Sequence, residues 1–175
     1  MNQAQIAASG YIHETLYKYC RGVDRGDAVL IAEAFHHDAI VHQGPITGEI
    51  EQLIPHFLAR YDEPGCAGQH NITNILISFE SQRANVESYF IAARISNRES
   101  EVASMTIGGG RYNDVFELRA AGWKIAQRTV IIDWLTQPFN YSRSEARSDY
   151  PHGGRRGSDL SFNHFTSFAL GGTGV

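Results

Sequence analysis

No apolar run in this chain reaches the roughly 18–20 residues that a helix needs to cross a bilayer, so a membrane-spanning helix is not expected. Positive charge is scarce. Fifteen Lys and Arg stand against 19 Asp and Glu, for a net charge of −4. With no basic stripe to neutralise phosphates, nucleic acid is excluded as a partner. Cysteine is nearly absent: Cys20 and Cys66 are too few for a disulfide scaffold, and both are expected to stay reduced. The first residues, Met1-Asn2-Gln3-Ala4-Gln5, carry neither a basic start nor an export-type apolar segment, and the expected location is the cytoplasm. No serine sits in a Gly-x-Ser-x-Gly elbow, which disfavours covalent acyl chemistry. The run Gly108-Gly109-Gly110 leads into no helix, so it reads as a strand bend or bulge rather than a phosphate cradle.

What remains is an ordinary globular balance. The 175 residues are 42% hydrophobic and 19% charged, which suits one domain with a sizeable core. Ile12, Leu16, Tyr19, Cys20 and Val23 recur at helical spacing through residues 6–23. Asp27 is placed to cap a second helix, with Leu30, Ile31, Ala34 and Phe35 on its inner face. Residues 39–42 read as a short strand stopped by Gly44-Pro45. Thr47 then reads as the N-cap of a third helix, which Pro55 should kink or split. Segments 72–80, 83–96, 111–120 and 123–134 are rich in β-branched and aromatic residues, with a hairpin at Ala121-Gly122. The predicted class is α+β: three N-terminal helices packed on a curved, mostly antiparallel sheet, forming a cone whose open end is a pocket.

Residues 1–136 are expected to form this domain. Residues 137–175 read as a polar, glycine-rich tail with Phe162, Phe165 and Phe168 at a spacing of three. Such a stripe suits a short helix, capped by Asp159 or Ser161, that docks either as a lid over the mouth or onto another subunit. The stretch 153–157 is the expected flexible arm.

Four side chains stand out because burying them costs free energy unless they serve one another or a ligand. They are Tyr19 and Asp24 at the end of the first helix, His70 before a strand, and Arg128 within the last strand. A carboxylate that holds an imidazole is the minimum machinery for proton abstraction near neutral pH. Taken singly, Asp24 is an ordinary helix terminator, His70 a structural histidine and Tyr19 a core residue. Strict alternation puts Arg128 opposite Trp123, Ile125 and Gln127, and does not say which face lines the pocket. His36-His37-Asp38 with His42 fits no strong zinc spacing, so no metal is expected, and His42 stands as a candidate pocket residue.

Three segments carry a family resemblance: Tyr19-Cys20-Arg21-Gly22-Val23-Asp24, His70-Asn71-Ile72-Thr73-Asn74, and Gly109-Gly110-Arg111-Tyr112-Asn113-Asp114 running on to Trp123 and Arg128. Together they resemble the SnoaL-like branch of the nuclear-transport-factor-2-like superfamily, over about residues 5–136. Dehydratases and dehydrochlorinases of that branch use an Asp–His dyad to take a proton from carbon while a leaving group departs. The resemblance implies His70 as base, Asp24 as its orienting partner, and Arg128 and Tyr19 as groups that stabilise developing negative charge. His42, Asn74 and Tyr112 are the candidate substrate contacts. The implied activity is a cofactor-independent lyase of the dehydratase type, acting on a hydrophobic cyclic or polyketide-like small molecule. An isomerase or cyclase would use the same dyad. A non-catalytic ligand-binding module and an oxygenase β-subunit share the fold. A homo-oligomer is expected because three helices leave much of the sheet uncovered, and the resemblance implies a trimer, or alternatively a dimer.

Overall fold

The computed structural model describes residues 1–62, 66–96, 102–141, 149–162 and 164. Helix α1 (Gln3–Arg25) starts earlier than the apolar spacing predicts, because Asn2 and Gln5 form a capping box. Each side chain takes the other residue's backbone N–H at 2.9 Å. The helix stops at Gly26, whose φ of +70° is a left-handed conformation that side chains disfavour. Asp27 caps α2 (Ala28–Glu33), as predicted, by accepting from the Leu30 N–H at 3.0 Å. None of the described helices is long and apolar enough to cross a membrane.

Two expectations fail between residues 35 and 49. Strand β1 (Phe35–Gln43) begins four residues before the predicted strand and includes His36-His37-Asp38. Thr47 caps no helix. It lies in a short strand, β2 (Ile46–Glu49), that folds back on β1 around Gly44-Pro45 and pairs with it from Gln43↔Ile46 to Ile40↔Glu49. Ladder bonding to β1 claims the residues that would otherwise have started the helix. Helix α3 (Ile50–Ala59) follows directly and runs through Pro55 unbroken. The proline gives up one backbone bond in the helix, toward the exposed Glu51.

The remaining strands are β3 (Ala67–Glu80), β4 (Arg83–Ser96), β5 (Ala103–Arg119), β6 (Gly122–Leu135) and β7 (Phe139–Tyr141). They form one open, curved seven-stranded sheet in the order β2-β1-β6-β5-β4-β3, with β7 paired to the start of β5. Among the described residues, every pairing is antiparallel except that of β1 with β6. Helix α1 lies against β3 and β6. Its Ile12, Leu16 and Val23 share one buried core with Phe57 of α3 and with Val86, Phe116 and Ile125 of the sheet.

Bulges decide which side chains reach that core. In β3, Thr73 and Asn74 together oppose one residue of β4, so the inward set changes from Ile75, Ile77 and Phe79 to Ile72, His70 and Gly68. In β6, Ala126 is the extra residue between the pairs Ile125↔Phe116 and Gln127↔Val115. Ile125 and Arg128 therefore share the inner face, where strict alternation had put them on opposite faces. A third bulge, at Asp133, sits opposite the junction of Gly109 and Gly110. A Cβ added at Gly110 would lie 2.0 Å from the Ile131 carbonyl oxygen. Gly110→Ala is therefore expected to cost on the order of 1–3 kcal/mol, as overpacking does, read as a lower midpoint in urea with unchanged slope.

Candidate active site

The end of α1 and the start of β3 bring Asp24 and His70 together. The His70 backbone N–H donates to Asp24 Oδ2 at 2.9 Å, and His70 Nδ1 lies 2.6 Å from Asp24 Oδ1. Both side chains are nearly buried, at 9% and 11% exposure. A carboxylate accepts only, so Nδ1 carries the proton and the neutral ring keeps its lone pair on Nε2. No hydrogen bond from the described residues reaches Nε2. His70 lines a cavity of about 220 Å³ walled by Tyr19, Phe57, Tyr61, Phe90 and Tyr112.

Arg128 lies beneath this cavity and does not line it. Its side chain is fully buried, with Nε and Nη2 donating to the two oxygens of Asp114 at 2.8 and 2.7 Å. The guanidinium carbon sits 4.2 Å from the Tyr19 ring centre and 4.1 Å from that of Tyr112. Burial opposes the charge on Arg128, but Asp114 more than offsets this, so the arginine holds its proton more firmly than usual. Burial raises the Tyr19 and Tyr112 hydroxyl pKa values and Arg128 pulls both down, without overcoming the burial. Both tyrosines remain neutral donors.

Tyr112 and Tyr19 thus stand at the cavity, whereas two other predicted contacts do not. Asn74 falls in the β3 bulge and faces solvent. His42 points off the cavity wall toward Thr47 of β2, with Nδ1 3.1 Å from its hydroxyl. The wall position belongs to its neighbour Gln43, whose side-chain oxygen is buried without a partner among the described residues. His36, Asp38 and His42 do not converge: His36 Nε2 donates to the Glu117 carbonyl, and Asp38 pairs with Arg119. Sequence reasoning missed Tyr61 and Phe90. Tyr61 continues the spacing of four from Phe57, and Phe90 belongs to the inward alternation of Val86, Ser88 and Ala92, so both signals were present.

The tail folds back over the end of α1. Arg155 Nη1 donates to the carbonyls of Val23 and Asp24 at 3.0 and 3.2 Å. Arg156 pairs with Asp62, Arg21 donates to the Ser161 hydroxyl, and the Arg21 guanidinium lies 5.7 Å above the Phe162 ring. The glycine-rich stretch is a tied turn, in which Gly154 N–H donates to Asp159 Oδ2 at 2.8 Å. Phe165 and Phe168 lie outside the described residues. Under this strap a second cavity, of about 630 Å³, reaches from Asp24 and Tyr61 to Met105 and Arg155.

Asp159 ties the strap to α1. Burial raises its pKa, but hydrogen bonds from the Ser161 hydroxyl and from the Gly154 and Ser161 N–H groups, with Arg25 nearby, outweigh burial and hold it at about 2. A depressed folded pKa means that its contribution is complete above the ordinary carboxylate range and is lost as pH falls toward 2. Titration of the Asp159 carboxyl carbon by NMR should show a midpoint near 2. The Gly154 and Ser161 amides should lose exchange protection over the same interval.

Residues 4–129 match the SnoaL-like domain model, and the chain belongs to that family. Solved structures share the fold. A hexachlorocyclohexane dehydrochlorinase, LinA type 2, is 17% identical, over 77% of this chain and 90% of that one, with a TM-score of 0.66. A scytalone dehydratase-like protein from Novosphingobium aromaticivorans is 20% identical, over 82% and 94%, with a TM-score of 0.65. The Kfla4162 protein of Kribbella flavida is 15% identical, over 75% and 95%, with a TM-score of 0.66. No curated protein matches this sequence.

Proposed function

We propose that this chain is a cofactor-independent lyase of the dehydratase type, acting on a hydrophobic cyclic or polyketide-like molecule. The observation that supports the reading is the Asp24–His70 pair, with the His70 ring lining an aromatic cavity. The dehydrochlorinase and dehydratase-like names among the structural neighbours agree with it. His70 Nε2 takes a proton from a carbon next to a carbonyl or a leaving group. The C–H electron pair moves into the new carbon–carbon double bond, and the leaving group departs with its own pair. Asp24 stabilises the imidazolium, and the Tyr19 and Tyr112 hydroxyls, set above Arg128, donate to the oxygen or leaving group that gains charge. An isomerase or cyclase begins with the same proton transfer.

The test follows the proton rather than the product. Apolar cyclic ketones and alcohols are incubated with the protein in D2O, and deuterium at the carbon next to the functional group is read by NMR. Enzyme-dependent exchange supports the reading, and its absence across the panel, with the ligands bound, leaves a binding module. The expected location is the cytoplasm. Self-association is expected as well, as a trimer or alternatively a dimer. Leu76, Tyr89, Ile91 and Trp134 are exposed on the outer face of the sheet, and another copy would cover them. Light scattering should give a multiple of 19.4 kDa, and a monomer mass at micromolar concentration would exclude it.

A further inference from the structure

The inner cavity, at about 220 Å³, is smaller than the roughly 300–1,000 Å³ of common ligand sites. It adjoins the larger outer cavity, since Tyr61 and Ala93 wall both. The charges around this pair of cavities run against those of the chain. Overall the protein carries −4. Among the described residues the inner wall holds Arg60 and Arg94 and no carboxylate. The outer wall holds Arg25, Arg155 and Arg156 against Asp24 and Asp62.

Those two carboxylates are committed elsewhere. Asp24 gives both oxygens to His70, and Asp62 pairs with Arg156 at 3.0 Å. Arg25 lies 3.3 Å from Asp159. Arg155 differs from its neighbours: its guanidinium donates to backbone carbonyls, and Nη2, buried against Gly26, has no acceptor among the described residues. Its guanidinium carbon sits 5.0 Å from the Tyr61 ring centre, at the junction of the cavities. Burial lowers its pKa, and Asp62 offsets that only in part. A half-buried guanidinium held by neutral groups keeps its full charge in a medium that screens poorly, so an oxyanion beside it gains more than in water.

We infer that the substrate carries an oxyanion, received in the outer cavity with Arg155 as its anchor, while the apolar ring occupies the inner cavity beside His70. This deepens the proposed function and rests on the cavity beside His70 being the substrate site. Arg155 also spans the end of α1, so the strap that closes the outer cavity is the element that selects charge. Carboxylate and phosphate share the required chemistry.

The probes are 2-naphthylacetate, 2-naphthyl phosphate and the neutral 2-naphthylacetamide, titrated calorimetrically into the full chain at low salt. At least one anion is expected to bind about tenfold more tightly than the amide, the scale of one charge-assisted hydrogen bond. The stronger anion identifies the group. Arg155→Gln should cut the advantage to below about threefold with amide affinity unchanged. Equal binding of amide and anions overturns the inference. So does an unchanged ratio in Arg155→Gln, or anion binding weaker than about 1 mM. Deuterium exchange by the unaltered protein, measured beside these titrations, separates the two readings. Charge-selective binding by a protein that exchanges no substrate proton removes the lyase reading alone, whereas exchange without charge selectivity removes this inference alone.

Discussion

Replacing His70 by alanine is expected to lower substrate proton exchange by about 10²–10⁴-fold, the usual contribution of a positioned general base. The fold should survive. The His70 backbone N–H still donates to Asp24 Oδ2, so the junction of α1 and β3 keeps one of its two bonds. Only Oδ1 loses its partner, at a cost of about 1–3 kcal/mol. Asp24→Asn keeps an oxygen for that backbone bond but removes the charge that stabilises an imidazolium, and it should be nearly as damaging. Exchange rates with a reactive ligand, measured beside melting curves, check both variants. Near-normal exchange in either would place the base elsewhere.

Arg128→Met is expected to destabilise the fold by about 3–5 kcal/mol, because it strands Asp114 in the core without its partner. Both side chains of the pair are fully buried. For a chain of this length that loss lowers the melting temperature by about 6–20 °C. The sign of the pH dependence follows from Asp114. Burial already raises its pKa against the pull of Arg128, and without Arg128 it rises further. A raised folded pKa favours the native state at acid pH and penalises it as pH rises, so the deficit should be smaller near pH 5 than near pH 8. Arg128→Met combined with Asp114→Leu should recover much of the loss, since apolar replacement of a buried ion pair is often neutral. If the double variant is no more stable than the single one, the two residues do not act as a pair.

The helices, the four long strands and the meeting of Asp24 with His70 were legible in spacing and motif. What could not be read was the phase of the strands. Alternation is a count of two, and one extra residue reverses it, so the Thr73-Asn74 and Ala126 bulges decide where His70 and Arg128 point. Nothing in the local composition announces either bulge, whereas the glycine run opposite Asp133 did announce the third. Thr47 was misread because the chain reads as a good N-cap until β1 is known to need a partner there. The ion pair of Arg128 with Asp114 follows from register across β5 and β6, and the grip of Arg155 on Val23 and Asp24 spans most of the chain. Such contacts are properties of the assembled fold and leave no short-range signal.

The parallel pairing of β1 with β6 also dictates an order of assembly. β1 is made early, yet its partner across the sheet is β6, with Phe35 waiting for Ile125 and Val41 for Arg128. Until β6 leaves the ribosome, β1 has only the four-residue β2 beside it, and its other edge is open to any strand that passes. Closing a ladder across so long a stretch of chain is slow. A nascent chain halted before β6 should therefore bind chaperones and resist folding, although α1, β3 and both halves of the Asp24–His70 pair have already been synthesised.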